Sequence, residues 1–95
     1  MTAAKIKLRI NVQGKVQGVG FRYMTKVLAD ELKVTGGVWN EPDGSVSIEA
    51  IGDYATLAKF VEKVKASPSP FGKVTNIIIN KDTTIRESQS FNVRN

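Results

Sequence analysis

The first clear pattern along the chain is a strict alternation of apolar and polar residues over positions 5 to 12. Successive side chains of a strand point to opposite faces, so this pattern predicts a strand with one buried and one solvated face. The apolar positions are Ile6, Leu8, Ile10 and Val12, and the polar positions are Lys5, Lys7, Arg9 and Asn11. Further strands are predicted at 38–40, 46–50 and 74–79, with a short final strand around Phe91 and Val93.

Two other segments place apolar residues at spacings of three and four, which is the period of an amphipathic helix. The first helix is predicted over residues 22–33, with an apolar stripe of Phe21, Met24, Val27, Leu28 and Leu32. The second begins after Asp53, a good N-cap residue, and ends at the Ser-Pro-Ser-Pro run of residues 67–70. Its stripe is Leu57, Phe60, Val61 and Val64. Pro42, Asp43 and Gly44 predict a hairpin turn between the second and third strands.

The predicted order is strand, helix, strand, strand, helix, strand, with a small extra strand at the end. Two right-handed strand–helix–strand units joined by a hairpin form one antiparallel sheet with both helices on one face. We therefore predict a ferredoxin-like α/β sandwich of the α+β class, as a single domain over residues 1–95 with residues 1–4 loose. This fold serves many unrelated functions, so it does not by itself indicate an activity.

Composition narrows the chemistry further. The chain has no cysteine and no histidine, which excludes thiolate catalysis, disulfides, zinc–thiolate sites and a histidine general base. Its net charge of +5 favours anionic partners, from nucleic acid to small phosphates. There is no apolar run of roughly 20 residues and no secretory signal pattern, so we expect a cytoplasmic protein without membrane contact.

A glycine-rich segment, residues 14–20, leads from the first strand to Arg22 at the entrance of the first helix. A cation there is unfavourable, because the helix N-terminus carries roughly half a positive charge. Glycines let successive N–H groups point into a concavity that binds an anion, and an arginine fork binds phosphate bidentately. An anion between them would remove the repulsion. Spacing alone leaves a solvated arginine equally open, because the segment is neither G-x-G-x-x-G nor a nucleotide P-loop.

Two segments carry a resemblance to a known family. G-K-V-Q-G-V-G-F-R, residues 14–22, closely resembles the first signature of the acylphosphatases, and G-G-V-W-N-E-P-D-G-S-V, residues 36–46, resembles their second. Chain length, element order and the separation of the signatures match as well. Gly37 stands where members often carry a larger side chain, Trp39 where they often carry a polar or basic one, and Gln13 where many have histidine. Because glycine weakens strand interiors, we expect Gly37 to weaken the second strand.

The resemblance implies a hydrolase that cleaves the carboxyl–phosphate bond of acyl phosphates without a metal or cofactor. By that match, Arg22 would bind the phosphoryl group and Asn40 would orient the attacking water. Backbone N–H groups of the loop would hold the phosphate as well. The residues that the resemblance assigns to this binding are Lys15, Val16, Gln17, Gly18, Val19, Gly20 and Phe21. The expected partners are then small acyl phosphates and inorganic phosphate, and the expected state is a monomer.

Two other functions stay open. RNA-recognition domains share this topology, but they stack bases on aromatic residues of the exposed sheet face, and the first strand offers only lysine, arginine and asparagine there. We therefore expect no nucleic-acid partner. A non-catalytic anion-binding domain would keep the loop without turnover. Asn40 has a simpler interpretation too, as a turn-forming residue at the mouth of the hairpin.

Overall fold

A computed structural model describes residues 4–95 of the chain, which form two helices and a five-stranded sheet. The elements are β1 (Ile6–Lys15), α1 (Phe21–Leu32), β2 (Thr35–Asn40), β3 (Val46–Gly52), α2 (Tyr54–Lys65), β4 (Lys73–Lys81) and β5 (Phe91–Arg94). Their order confirms the predicted ferredoxin-like α+β fold. The expectation of a loose start falls mostly on residues 1–3, which lie outside the described residues.

The sheet has the strand order β4-β1-β3-β2-β5, and its four longer strands pair antiparallel as predicted. The short β5 instead runs parallel to β2, with Gly36 opposite Phe91 and Val38 opposite Val93. The sheet is therefore mixed. The reason is the connection over residues 82–90, which carries the chain from one edge of the sheet to the other. This connection buries Ile85, whose carbonyl oxygen accepts a hydrogen bond of 2.6 Å from Lys7 Nζ.

β1 is longer than its alternating pattern predicts. It continues through Gly14 and Lys15, which pair with Val74 and Lys73 of β4 after a register shift at Gln13/Gly14. The connection from β1 to α1 is therefore only residues 16–20, called here the glycine loop. The extension escapes the sequence pattern because its residues are polar or glycine, and pairing with β4 holds them instead.

One hydrophobic cluster contains residues of both helices and of the sheet. Its sheet members are Ile10, Val12, Val38, Val46, Ile48, Ala50 and Phe91, and its helical members are Phe21, Leu28, Ala29, Leu57, Phe60 and Val64. This shared cluster supports the expectation that both helices cover one face of the sheet. Met24 and Val27 of the predicted stripe are only half-buried, whereas Thr25 and Ala29 are fully buried.

The ends of the helices follow local chemistry. The carboxylate of Asp53 accepts a hydrogen bond of 2.8 Å from the Thr56 N–H, which confirms it as the N-cap of α2 and lowers its pKa. α1 begins at Phe21, one residue earlier than predicted, and ends where Lys33 adopts a left-handed conformation. No helix within residues 4–95 is long and apolar enough to span a membrane.

Candidate active site

A cleft of about 190 Å³ lies where the glycine loop meets the start of α1 and the end of β2. It brings together six of the predicted site residues, namely Val16, Gly18, Gly20, Phe21, Arg22 and Asn40. Larger grooves of about 340, 350, 360 and 300 Å³ are lined by other residues and contain neither Arg22 nor Asn40. The cleft at the glycine loop is therefore the candidate site.

The backbone of the glycine loop has the conformation that an anion-binding concavity requires. Gly18 and Gly20 have φ angles of 73° and 77°, in the left-handed region, and flank Val19. Such alternation turns successive N–H groups toward one side of the chain. A Cβ at either glycine would meet nothing within 4 Å, so these positions need glycine for their φ angles rather than for space.

The start of α1 adds free donors to the same cleft. Its N-cap residue is Gly20, which has no side chain that could accept a hydrogen bond from the first turn. The first helical hydrogen bond runs from the Met24 N–H to the Gly20 carbonyl at 3.1 Å. The N–H groups of the preceding residues of the first turn therefore have no partner within the helix. The first turn also contains no acidic residue. The helix end thus keeps its positive potential.

Arg22 increases that potential. Its side chain is half-buried, and within residues 4–95 its guanidinium forms no salt bridge. Arg9 and Arg94, in contrast, both bind Glu49 on the sheet. The positive charge of Arg22 is therefore not neutralised by a neighbouring carboxylate. Together with the free N–H groups, it makes the cleft suited to an anion.

Asn40 also lines the cleft, with its carboxamide side chain. It is the last residue of β2 and is paired with Val46 of β3. Its Oδ1 is buried and, among the described residues, has no hydrogen-bond partner. A buried acceptor without a partner costs free energy, roughly 1–3 kcal/mol. A hydrogen-bond donor that reached this oxygen would remove that cost.

The hairpin that follows Asn40 is tied by its own side chains. Asp43 accepts hydrogen bonds from the hydroxyl and the N–H of Ser45, and the hydroxyl contributes most to the lowered pKa of Asp43. The Glu41 N–H donates to the Ser45 carbonyl at 2.8 Å, which closes the turn. The predicted turn is therefore formed, and it fixes the strand end that carries Asn40.

Gln17 connects the glycine loop to this hairpin. Its Nε2 donates to the carbonyl oxygens of Glu41 and Ser45 at 2.8 and 2.9 Å. The side chain does not line the cleft, and its position explains how the loop and Asn40 keep a fixed separation. Lys15 and Val19 do not line the cleft either: Lys15 is exposed at the end of β1, and the Val19 carbonyl faces Ser69. Phosphate binding by the backbone N–H groups of these three residues stays a prediction, as it does for the residues that line the cleft.

Two residues that were not predicted from the sequence as site residues also line the cleft. Tyr23 follows Arg22 in α1 and is 65% exposed, and Val93 comes from β5 and is 41% exposed. An aromatic residue outside the apolar stripe of α1 was the available signal for Tyr23. Nothing local indicates Val93, because its position depends on the parallel pairing of β5 with β2.

Comparisons with known proteins identify the family of the chain. The acylphosphatase family model matches residues 8–93. An acylphosphatase of Enterococcus faecalis is 58% identical, and one of Pediococcus pentosaceus is 52% identical, each over 92% of this chain and 96% of the relative. The chain is also similar to the crystal structure of acylphosphatase from Bacillus subtilis, with 42% sequence identity and a TM-score of 0.89. The match covers 95% of this chain and 99% of that chain. The fold, the two signatures and these relatives together show that the chain belongs to the acylphosphatase family.

Proposed function

We propose that the cleft hydrolyses acyl phosphates to a carboxylate and inorganic phosphate, with Arg22 and the glycine loop binding phosphate and Asn40 directing water. The observation that carries this proposal is the convergence of three groups on one cleft. Within residues 4–95, these are an arginine without a carboxylate partner, a helix N-terminus with free N–H groups, and a buried amide oxygen without a donor.

Phosphate binding follows from the donors in the cleft. The phosphoryl group carries its negative charge on three peripheral oxygens. The N–H groups of the glycine loop and of the first turn of α1 donate to these oxygens, and the Arg22 fork donates bidentately. The backbone N–H groups are held by the fold, so they need little reorganisation as charge develops in the transition state.

Asn40 orients the attacking water molecule. Its Oδ1 accepts a hydrogen bond from a water molecule, whose oxygen then attacks phosphorus. The carboxamide is neutral, so it does not repel the phosphoryl group as an aspartate would. The bond between phosphorus and the acyl oxygen breaks, the carboxylate leaves with the bonding pair, and the water proton passes to a phosphate oxygen.

The composition of the chain fits this chemistry. An acyl phosphate is a mixed anhydride whose carboxylate leaving group needs little protonation, so a chain without histidine or cysteine can catalyse its hydrolysis. Phosphoryl transfer depends mostly on positioning and on charge stabilisation. Arg22 and the N–H groups supply the positive charge that a metal ion supplies in many other phosphoryl-transfer sites, so the proposed reaction is independent of metals and cofactors.

The test is an assay of acetyl phosphate and benzoyl phosphate hydrolysis in the presence of EDTA. We expect turnover that EDTA does not reduce and that inorganic phosphate inhibits competitively. Binding of phosphate without turnover would instead indicate an anion-binding domain. Binding of RNA that weakens with salt, again without turnover, would indicate a nucleic-acid module.

The state and location of the protein stay predictions. We propose a cytoplasmic monomer that acts without nucleic-acid or membrane partners. Sedimentation analysis of the purified chain tests the first point, since a dimer would sediment with twice the expected mass. Fractionation of cells that express the chain tests the second.

A further inference from the structure

We propose that Ser69 is a positioning residue of the phosphate site, which holds the Val19–Gly20 peptide so that the Gly20 N–H faces the cleft. This inference rests on the proposed role of the glycine loop as the phosphate-binding element. Ser69 lies outside the cleft and outside both family signatures.

Ser69 is the centre of a short turn between α2 and β4, residues 67–72, called here the serine turn. Although it lies in a connection, Ser69 is only 2% exposed. Its hydroxyl donates to the carbonyl of Val19 and accepts from the N–H of Phe71 at 3.3 Å. The hydroxyl therefore uses both its donor and its acceptor capacity, and the donor goes to the glycine loop.

The serine turn is rigid enough to act as an anchor. Pro68 and Pro70 flank Ser69, and each proline ring fixes its own φ angle. The carbonyl of Ser69 accepts from the Ser67 hydroxyl at 2.8 Å and from the Gly72 N–H at 3.2 Å. The Ser69 hydroxyl, which donates to Val19, therefore belongs to a turn that is closed by its own hydrogen bonds.

The serine turn also packs against Val19 of the glycine loop and against Lys15, the residue that precedes the loop. A Cβ added at Gly72 would lie 3.2 Å from the Lys15 carbonyl oxygen and 3.5 Å from Val19 Cγ2, so the two segments are in close contact. No residue of the turn lines the cleft, so the turn supports the loop from outside the site. The contact between Ser69 and Val19 is therefore an outer support of the cleft wall.

The geometry of the peptide bond links this contact to phosphate binding. In a planar trans peptide, the C=O of one residue and the N–H of the next point in opposite directions. Because the Val19 carbonyl points to Ser69, the Gly20 N–H points away from the serine turn. Gly20 itself lines the cleft, and we assign its N–H to that side.

Without this anchor the Val19–Gly20 peptide could rotate. Such a rotation changes ψ of Val19 and φ of Gly20, and glycine tolerates a wide range of φ angles. A rotated peptide would turn a carbonyl oxygen, instead of an N–H, toward the phosphate. Only the fraction of molecules with the correct peptide orientation would bind, and the apparent affinity would fall by that fraction.

The experiment compares Ser69→Ala with the unchanged protein well below the melting temperature. We expect the Ki of inorganic phosphate, from benzoyl phosphate hydrolysis and from calorimetry, to rise about tenfold, with KM rising in parallel and kcat changing less. In an NMR titration, phosphate should change the chemical shift of the Gly20 amide less in Ser69→Ala than in the unchanged protein at the same phosphate concentration. Ser69→Thr keeps the hydroxyl and should restore the affinity.

The matched control is Ser67→Ala, which removes a hydroxyl bond from the same turn and leaves the bond to Val19. Its melting temperature should fall while its phosphate Ki stays within about twofold of the original. If Ser67→Ala weakens phosphate binding as much as Ser69→Ala does, general loosening of the turn explains the effect, and the assignment of Ser69 is wrong.

An unchanged Ki in folded Ser69→Ala would also overturn the inference. Should that variant not fold, Ser69→Cys keeps a similar shape with a much weaker donor and should raise the Ki in the same direction; an unchanged Ki there counts equally against it. Failure of the proposed function is a separate result, because the unchanged protein would then neither bind phosphate nor hydrolyse acyl phosphates.

Discussion

The guanidinium of Arg94 lies over the indole ring of Trp39, with its Cζ 5.2 Å from the ring centroid. Its Nη1 also binds Glu49 Oε1 at 2.9 Å. Gly37 makes this arrangement possible, since a Cβ there would lie 2.6 Å from Cζ and Nε of Arg94. The two departures from the family pattern in the second signature, Gly37 and Trp39, therefore form one site for an arginine from β5.

Arg94 and Gly37 should be energetically coupled. Arg94→Ala removes a cation–π contact and a partly exposed ion pair, so we expect the free energy of unfolding to fall by about 1 kcal/mol. In a Gly37→Ala background the new Cβ has already displaced the guanidinium, and removing Arg94 should then cost clearly less. Urea denaturation of both single variants and the double variant measures the coupling. Effects that add within about 0.3 kcal/mol would show that the two residues do not share one site.

Arg22 should be required for turnover. Because Arg22→Ala removes a fixed bidentate donor, we expect kcat/KM to fall by the equivalent of about 3 kcal/mol or more. Arg22→Lys should recover only part of this loss, since an ammonium group lacks the planar fork. The measurement is steady-state hydrolysis of benzoyl phosphate by each variant.

The matched control for Arg22 is Arg86→Ala, which removes an equal charge from the exposed connection between β4 and β5. Its kcat/KM should stay within about twofold, because solvent and salt screen an exposed charge outside the cleft. An Arg22→Ala enzyme that keeps more than a tenth of the original kcat/KM would exclude the proposed role.

Much of the fold and of the site could be predicted from local patterns. The alternation of β1, the helical periods of α1 and α2, and the turn at residues 42–44 were sufficient for the order of elements. The two signatures pointed to Arg22 and Asn40 as candidates, and the structure brings both to one cleft. Patterns of this kind succeed because burial of one face imposes a period on each element.

The remaining features depend on contacts between residues far apart in the chain. The direction of β5 follows from how residues 82–90 cross the sheet, and Val93 reaches the cleft only through that pairing. Gln17 looks like a loop residue until its hydrogen bonds to the hairpin are seen. Ser69 has no signal beyond its place between two prolines. Such contacts are tertiary and leave no period in the sequence.

Asp82 should make stability depend on acid pH. Its carboxylate accepts hydrogen bonds from Thr84 and, at 3.0 Å, from Arg9 Nε, and these contacts lower its pKa to about 2, with the Thr84 hydroxyl contributing most. In the unfolded chain an aspartate has a pKa of about 3.9. Because the folded pKa is the lower one, the stabilisation is fully present above about pH 4 and is lost as the pH falls through about 2.

The measurement for Asp82 is the free energy of unfolding in urea for the unchanged protein and for Asp82→Asn, between pH 6 and pH 2. We expect Asp82→Asn to be less stable by a constant amount above about pH 4, and the difference to shrink toward pH 2. A difference that does not change with pH would mean that the carboxylate charge is not what these contacts stabilise.

Replacing Asn40 should lower turnover without lowering stability. If its Oδ1 orients the attacking water, Asn40→Ala should lower kcat by about a hundredfold while the Ki of inorganic phosphate stays within about twofold, because phosphate contacts are made elsewhere in the cleft. The same change removes a buried acceptor that has no partner among the described residues. The free energy of unfolding in urea should therefore stay equal or rise, by up to about 1 kcal/mol.

The control for Asn40 is Asn76→Ala, an exposed asparagine of β4, for which kcat should not change. A residue that merely forms the turn would give the opposite pattern in Asn40→Ala, with reduced stability and nearly normal turnover. Because the two interpretations predict opposite signs for stability and for kcat, one variant distinguishes them. A residue that lowers stability but serves turnover is expected at a site built to bind a transition state.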